Sequence, residues 1–127
     1  MIGLPFRAWR LMAACAFAAT ALAVAAPAQP AFAAESIHSI ITRCTLAAGF
    51  SAADVVAMKK IADYESRDRR KKQDGRNFGL FQLNRSICKG RPWSDAEWNT
   101  KRALKYVKGR YRTPSRAWKR IKKTGWY

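Results

Sequence analysis

The chain has little acid, one histidine, three cysteines and no long apolar run. Against 25 Lys and Arg stand 8 Asp and Glu, a formal net charge of +17 over 127 residues. A single imidazole, His38, excludes a histidine-based metal site and a catalytic triad, and it lies one residue off the apolar face of its segment, as a surface residue does. The longest uncharged apolar run, Leu11–Ala26, is shorter than the roughly 20 residues of a spanning helix, which argues against a retained membrane anchor. No internal repeat is apparent, and no signature of an RNA- or DNA-binding module is present.

The apolar run has another reading. Arg7 and Arg10 precede it, Pro27 and Pro30 end it, and Ala31-Phe32-Ala33 places small residues at the minus-three and minus-one positions of a cleavage site. Residues 1–33 therefore read as a secretory signal peptide cut after Ala33, and 34–127 as one small domain. A lipoprotein attached through Cys15 is disfavoured, because too little apolar sequence precedes that residue. Removal of 1–33 takes away two Arg and no acid, leaving 23 cations against 8 acids, a formal +15. Such an excess can hold a protein on an anionic wall or membrane surface, bind nucleic acid, or merely solubilise. Export weakens the nucleic-acid reading. Attraction to a polyanion weakens with salt in any case.

Two cysteines remain, Cys44 and Cys88. In an exported chain an even count suggests a disulfide, and only one intrachain pairing is open. Closing that loop adds ~4 kcal/mol in the chain-entropy account, a useful staple for a small core. Two buried free thiols are the alternative.

In Ser36–Ala48, the residues Ile37, Ile40, Ile41, Cys44 and Ala48 recur at a helical period, with Gly49 behind them. Ser51 starts a second helix, with Asp54 suited to the positive end of its dipole and Phe50 and Val55 as a hydrophobic staple. Val55, Met58, Ile61, Ala62 and Glu65 fall on or near one stripe, while Lys59, Lys60 and Asp63 point away. The spacing thus puts the Glu65 carboxylate on the apolar side of a helix end. There its pKa rises and it can serve as a proton donor, although structural carboxylates also occupy helix ends. Arg67–Arg76 reads as a basic loop, whose cations lower that pKa if they turn inward. Phe78–Leu83 reads as a short extended segment without strict alternation. Ser94-Asp95-Ala96-Glu97 has the form of a capping box before a helix from Asp95 to about Arg110, with Thr100, Ala103, Leu104, Val107 and Tyr111 inward. Thr113-Pro114 starts a last helix that ends before Gly125 and buries Ala117, Trp118 and Ile121. About four helices joined by loops make an all-α domain.

Glu65-Ser66, followed by Gly79-Leu80-Phe81-Gln82-Leu83-Asn84, resembles the lysozyme-like lytic transglycosylase superfamily of wall-cleaving enzymes. The ending is similar to small actinobacterial-type domains described as transglycosylase-like or aggregation-promoting-factor-like. It runs Tyr106-Val107-Lys108-Gly109-Arg110-Tyr111-Arg112-Thr113-Pro114, then Ala117-Trp118, then Gly125-Trp126-Tyr127. The likeness covers most of the chain after about Ala53, and it implies a small lysozyme-like helical domain. By position it implies Glu65 as the catalytic acid and Gln82 and Asn84 as partners of sugar amides. It also implies Tyr106 as a hydrogen-bond partner that holds Glu65, and Trp118 as an aromatic against a sugar ring. For Tyr106 and Trp118, core packing is the competing role. The chain departs from the family at Lys119, where an Asn is usual, and at Arg67–Lys72, which replaces a Trp-Asn-Pro region.

Glycoside cleavage commonly uses two carboxylates. This sequence offers one. Asp63 faces away, Asp68 and Asp74 sit among arginines that can pair with them, and Asp54, Asp95 and Glu97 belong to helix starts. A lone acid fits the transglycosylase route that the resemblance implies, between N-acetylmuramic acid and N-acetylglucosamine, with no cofactor and no metal. A muramidase-type hydrolase is a variant that needs a second acid. The expected protein is a secreted, wall-associated monomer whose partner is the peptidoglycan glycan strand, with anionic wall polymers as further partners and no membrane span after signal removal. The alternative is a non-catalytic cationic wall-binding or aggregation-promoting protein of the same fold.

Overall fold

The computed structural model describes Ala25 and residues 33–127; nearly all of the segment read as a signal peptide, Cys15 included, lies outside the described residues. The first helix, α1, spans Ile37–Ala47 and is capped by Ser36, whose hydroxyl accepts from Ser39 N. The second, α2, spans Ala52–Ser66. Ser51 and Asp54 form a full capping box at its start: the Ser51 hydroxyl accepts from Asp54 N, and the Asp54 carboxylate accepts from Ser51 N. Aspartate is shorter than the glutamate usual at this position, yet it reaches.

Between α2 and the next long helix the chain folds tightly. Strands β1 (Gln73–Asp74), β2 (Asn77–Phe78) and β3 (Leu83–Asn84) pair antiparallel in that order, with Gln73 opposite Phe78 and Phe78 opposite Leu83. A short helix α3 follows at Arg85–Cys88, then α4 at Ala96–Tyr111 and α5 at Pro114–Thr124. Among the described residues the fold is thus mainly helical, with five helices and a small three-stranded sheet, rather than an all-α set of four. Two-residue strands are too short to show a period. Gly75, at φ 55°, supplies the turn that lets β1 and β2 meet.

The start of α4 also differs from expectation. Asp95, not Ser94, is the cap, and its carboxylate accepts from Trp98 N at 2.7 Å. A charged acceptor at the positive end of the helix dipole is the stronger cap. Glu97 instead joins Arg43 of α1 and Lys101 in an exposed ion-pair cluster. The last helix behaves as its sequence says: Thr113 caps it, Pro114 opens it, and Gly125 ends it at φ 78°.

Ala33–Tyr127 form one compact unit. Its core gathers Ile41 from α1, Met58 and Ile61 from α2, Phe81 from the β2–β3 connection, Val107 from α4 and Ile121 from α5, all at most 2% exposed. Burial of each such side chain is worth about 1.5–3 kcal/mol. Asp54 ties two helices together, because Ser115 at the start of α5 donates to it from Oγ at 2.7 Å and from N at 3.1 Å.

The expected Cys44–Cys88 disulfide is not formed; both thiols are free and buried. Cys44 belongs to α1, while Cys88 closes α3 with its Sγ directed at Leu83 O, 3.6 Å away. Each thiol is thus a core side chain, and burial raises the pKa of both. Among the described residues no helix is long and apolar enough to cross a membrane.

Candidate functional site

The site is built from the loop that the sequence singles out. Gly79 sits at φ 81°, and a Cβ there would collide with the Asn99 amide and with Trp93 O, so only glycine fits. Asn99, fully buried on α4, accepts from Phe81 N at 2.9 Å and donates to Trp93 O at 3.0 Å. It pins the Gly79-Leu80-Phe81 turn against the helix. Gln82 follows in a left-handed conformation, φ 48°, and its amide donates to Gly79 O at 2.8 Å and Lys72 O at 3.2 Å. Its donors therefore brace the loop. Asn84 caps α3, its Oδ1 accepting from Ser86 N and Ser86 Oγ, both at 3.0 Å.

Gln82 and Asn84 line a cleft of about 230 Å³ that also takes in Asn77, Tyr106 and Tyr127. The structure thus brings three of the expected substrate residues, Gln82, Asn84 and Tyr106, to one cavity. Trp118 does not line this cleft: it is half-buried against the core and stacks edge-on with Tyr64, 6.2 Å between centroids. Tyr106 makes no hydrogen bond to Glu65 among the described residues. It packs edge-on against Tyr127 at 5.7 Å and Tyr111 at 6.5 Å instead.

Tyr127 lines the same cleft beside Tyr106. Its hydroxyl donates to Phe81 O at 2.6 Å, which joins the chain's last described residue to the turn. Burial, and after it the negative charge of Glu65, push its phenol well above the ordinary value, so Glu65 lies within electrostatic reach of the cleft wall.

Glu65 stands at the end of α2, half-buried. Burial pushes its carboxyl up from 4.5 to about 7, against the opposing charge of Lys72. No hydrogen bond stabilises its ionised form among the described residues. A carboxyl with neither burial nor charge partner stays near its ordinary value; here desolvation wins. Of the basic loop, Lys72 alone turns toward Glu65, its Nζ donating to the Glu65 carbonyl at 2.8 Å. Arg67, Arg69, Arg70 and Lys71 are exposed. Asp68 does not pair with an arginine: after two successive left-handed residues, Arg67 and Asp68, its carboxylate meets His38 Nε2 at 3.0 Å. Asp74 forms no ion pair among the described residues. A larger groove, about 690 Å³, lies between Ala34–Ile37 and Asp68–Lys72 and is not lined by Glu65.

Sequence reasoning missed Asn99, Lys72 and Tyr127. Asn99 left one signal: an amide between Ala96 and Ala103 on an apolar stripe needs buried partners. Chemically, the arrangement is one carboxyl lifted to about 7, which does not itself line the cleft but acts electrostatically on Tyr127 in its wall, and a cleft rimmed by amides and phenols. Among the described residues no group of three His, Cys, Asp or Glu side chains could hold a metal ion. Comparison with protein families, with curated proteins and with solved structures gives no match.

Proposed function

We propose that the protein is a secreted peptidoglycan lytic transglycosylase of lysozyme-like fold that works as a monomer at the cell wall, with Glu65 as its single acid and base. The observation that carries this reading is the Glu65 carboxyl, lifted to about 7 by burial at the end of α2. Such a group is protonated often enough to donate near neutrality and basic enough to take a proton back.

In this reading the protonated Glu65 gives its proton to the glycosidic oxygen between N-acetylmuramic acid and N-acetylglucosamine as that bond breaks. The substrate's own acetamido oxygen stabilises the oxocarbenium-like carbon. The Glu65 carboxylate then removes the proton from the 6-hydroxyl, whose oxygen closes on the anomeric carbon. The product is a 1,6-anhydro sugar, no water is consumed, and Glu65 ends protonated as it began. Asn84, whose Oδ1 caps α3, lines the cleft, and in this reading its Nδ2 donates to a sugar amide.

The test is Glu65→Gln. Wild type releases 1,6-anhydro muropeptides from purified peptidoglycan, read by mass, and the folded variant releases none. Reducing-end products from the wild type would mean a hydrolase.

A second reading is favoured by a separate observation. The α5 cations Arg116, Lys119, Arg120, Lys122 and Lys123 are all exposed, and none is ion-paired among the described residues. This surface suits a non-catalytic wall-binding or aggregation-promoting protein held by anionic polymers. Binding lost at high salt, with no product from the wild type, would establish it.

A further inference from the structure

A second groove, about 490 Å³, adjoins the 230 Å³ cleft, and the two share Ile87 and Tyr106 as lining residues. Its remaining wall is one stripe of α4, where Arg102, Lys105, Tyr106, Gly109 and Arg110 follow at helical spacing. Three of these are cations, and no acidic side chain lines the groove. None of the three has an ion-pair partner among the described residues; of the two acids at the start of α4, Glu97 is taken by Arg43 and Lys101, and Asp95 caps the helix. Arg110 is held by its neighbour: its Nε donates to Tyr111 Oη at 3.1 Å, and its guanidinium carbon lies 5.7 Å from that ring's centroid.

Gly109 points the same way. Glycine inside a helix weakens it, because the unfolded chain has more freedom to lose. Here neither backbone nor packing asks for glycine: its φ is not left-handed, and a Cβ built on it would meet no atom within 4 Å. What the missing side chain leaves is an open floor between Lys105 and Arg110. Like charges that converge on a concave, partly apolar surface concentrate their field there, and an anion with an aliphatic body fits both features.

We infer that this groove is an anion subsite continuous with the sugar cleft. It takes the carboxylates of an acidic peptide substituent on the glycan strand, whose apolar part lies on Ile87 and Tyr106 while Arg102, Lys105 and Arg110 hold the charge. The inference rests on the glycan reading of the cleft. It sets the preferred substrate as strands that carry acidic peptides, over neutral ones.

The test measures binding by the full chain carrying Glu65→Gln, so that nothing turns over. The ligands are a neutral N-acetylglucosamine oligomer, the free acidic stem peptide, and glycan strands bearing that peptide. Arg102→Gln with Lys105→Gln should weaken binding of both peptide-bearing ligands by about tenfold and leave the neutral oligomer unchanged. Gly109→Leu, which keeps every charge and favours the helix, should block the same two ligands by filling the floor. Equal loss for all three ligands, no loss, or no binding of the peptide ligands to the starting protein overturns the subsite. Cleavage of peptidoglycan by the wild type reports separately on the transglycosylase reading. Its absence, with peptide binding still dependent on Arg102 and Lys105, removes that reading and leaves the subsite standing.

Discussion

The side chain of Asn99 fills the space that a Cβ at Gly79 would need. One residue gives up its side chain so that the other can reach three backbone groups: Phe81 N, Trp93 O and, at 3.4 Å, Phe78 O. Gly79→Ala is therefore strained twice, by its φ of 81° and by collision with the amide that shapes the turn. Asn99→Ala strands a buried N–H and leaves a void, and should cost about 1–3 kcal/mol. Both variants should lower the urea midpoint, and both should weaken any ligand of the 230 Å³ cleft. An unchanged midpoint for Gly79→Ala would mean the turn is shaped by something else.

Glu65 should destabilise the domain that carries it. Its folded pKa is about 7 against an ordinary 4.5, so the native state binds the proton more tightly than the unfolded chain. The penalty is absent below pH 4.5, grows as pH rises through that window, and is constant above it. A shift of that size corresponds to roughly 3 kcal/mol at full burial, and solvent screening of a half-buried group reduces it to about 1–2 kcal/mol. Glu65→Gln should thus be about as stable as wild type at pH 4 and more stable by about that amount at pH 8. Urea unfolding at the two pH values decides it. A difference that does not change with pH would show the carboxyl is not desolvated.

Lys72 is the one cation that opposes this shift, by its charge, and its Nζ is held nearby by donating to the Glu65 carbonyl. Lys72→Met removes the charge and keeps much of the stem. The Glu65 pKa should then rise further, and the alkaline limb of the proposed peptidoglycan cleavage should move to higher pH. Lys72→Arg should restore the wild-type limb. A merely structural lysine would change the rate without moving the limb.

The long helices could be read from the sequence because their signals are local. Ser51 with Asp54, Thr113 with Pro114, and Gly125 each act within one turn, and the stripe that carries Glu65 needs only the helical period. The rest depends on pairs far apart in the chain. Tyr127 reaches Phe81 across 46 residues, and His38 reaches Asp68 across 30. No spacing rule links them. Lys72 stands in a run of cations with nothing to mark it as the one that turns inward. The small sheet has strands of two residues each, below the length at which alternation can be seen. Cys44 and Cys88 suggested a bridge from their number alone, while the packing of α1 and α3 keeps them as separate buried thiols.

Asp54 gives a prediction of opposite sign at the other end of α2. Burial by itself would raise its pKa, but hydrogen bonds from Ser115 and from Ser51 outweigh it and hold the carboxylate below its ordinary 3.8. A depressed carboxylate contributes stability that is present above the unfolded value and is lost as pH falls through the folded one. Asp54→Asn should therefore cost about 1–2 kcal/mol at pH 7. That cost should shrink as pH drops below 3.8, where the wild-type carboxyl also becomes neutral. Ser115→Ala should cost less alone, and the double variant should show coupling, because the pair touches directly. The two ends of α2 then separate in one titration of stability: the loss on acidification below pH 3.8 follows Asp54, and the loss between pH 4.5 and about 7 follows Glu65. Asp54→Asn should remove the first and leave the second, and with it the alkaline limb of the proposed cleavage, in place. If Asp54→Asn moved both, the two carboxylates would have to communicate through α2 itself, and the Glu65 pKa could no longer be ascribed to its local burial.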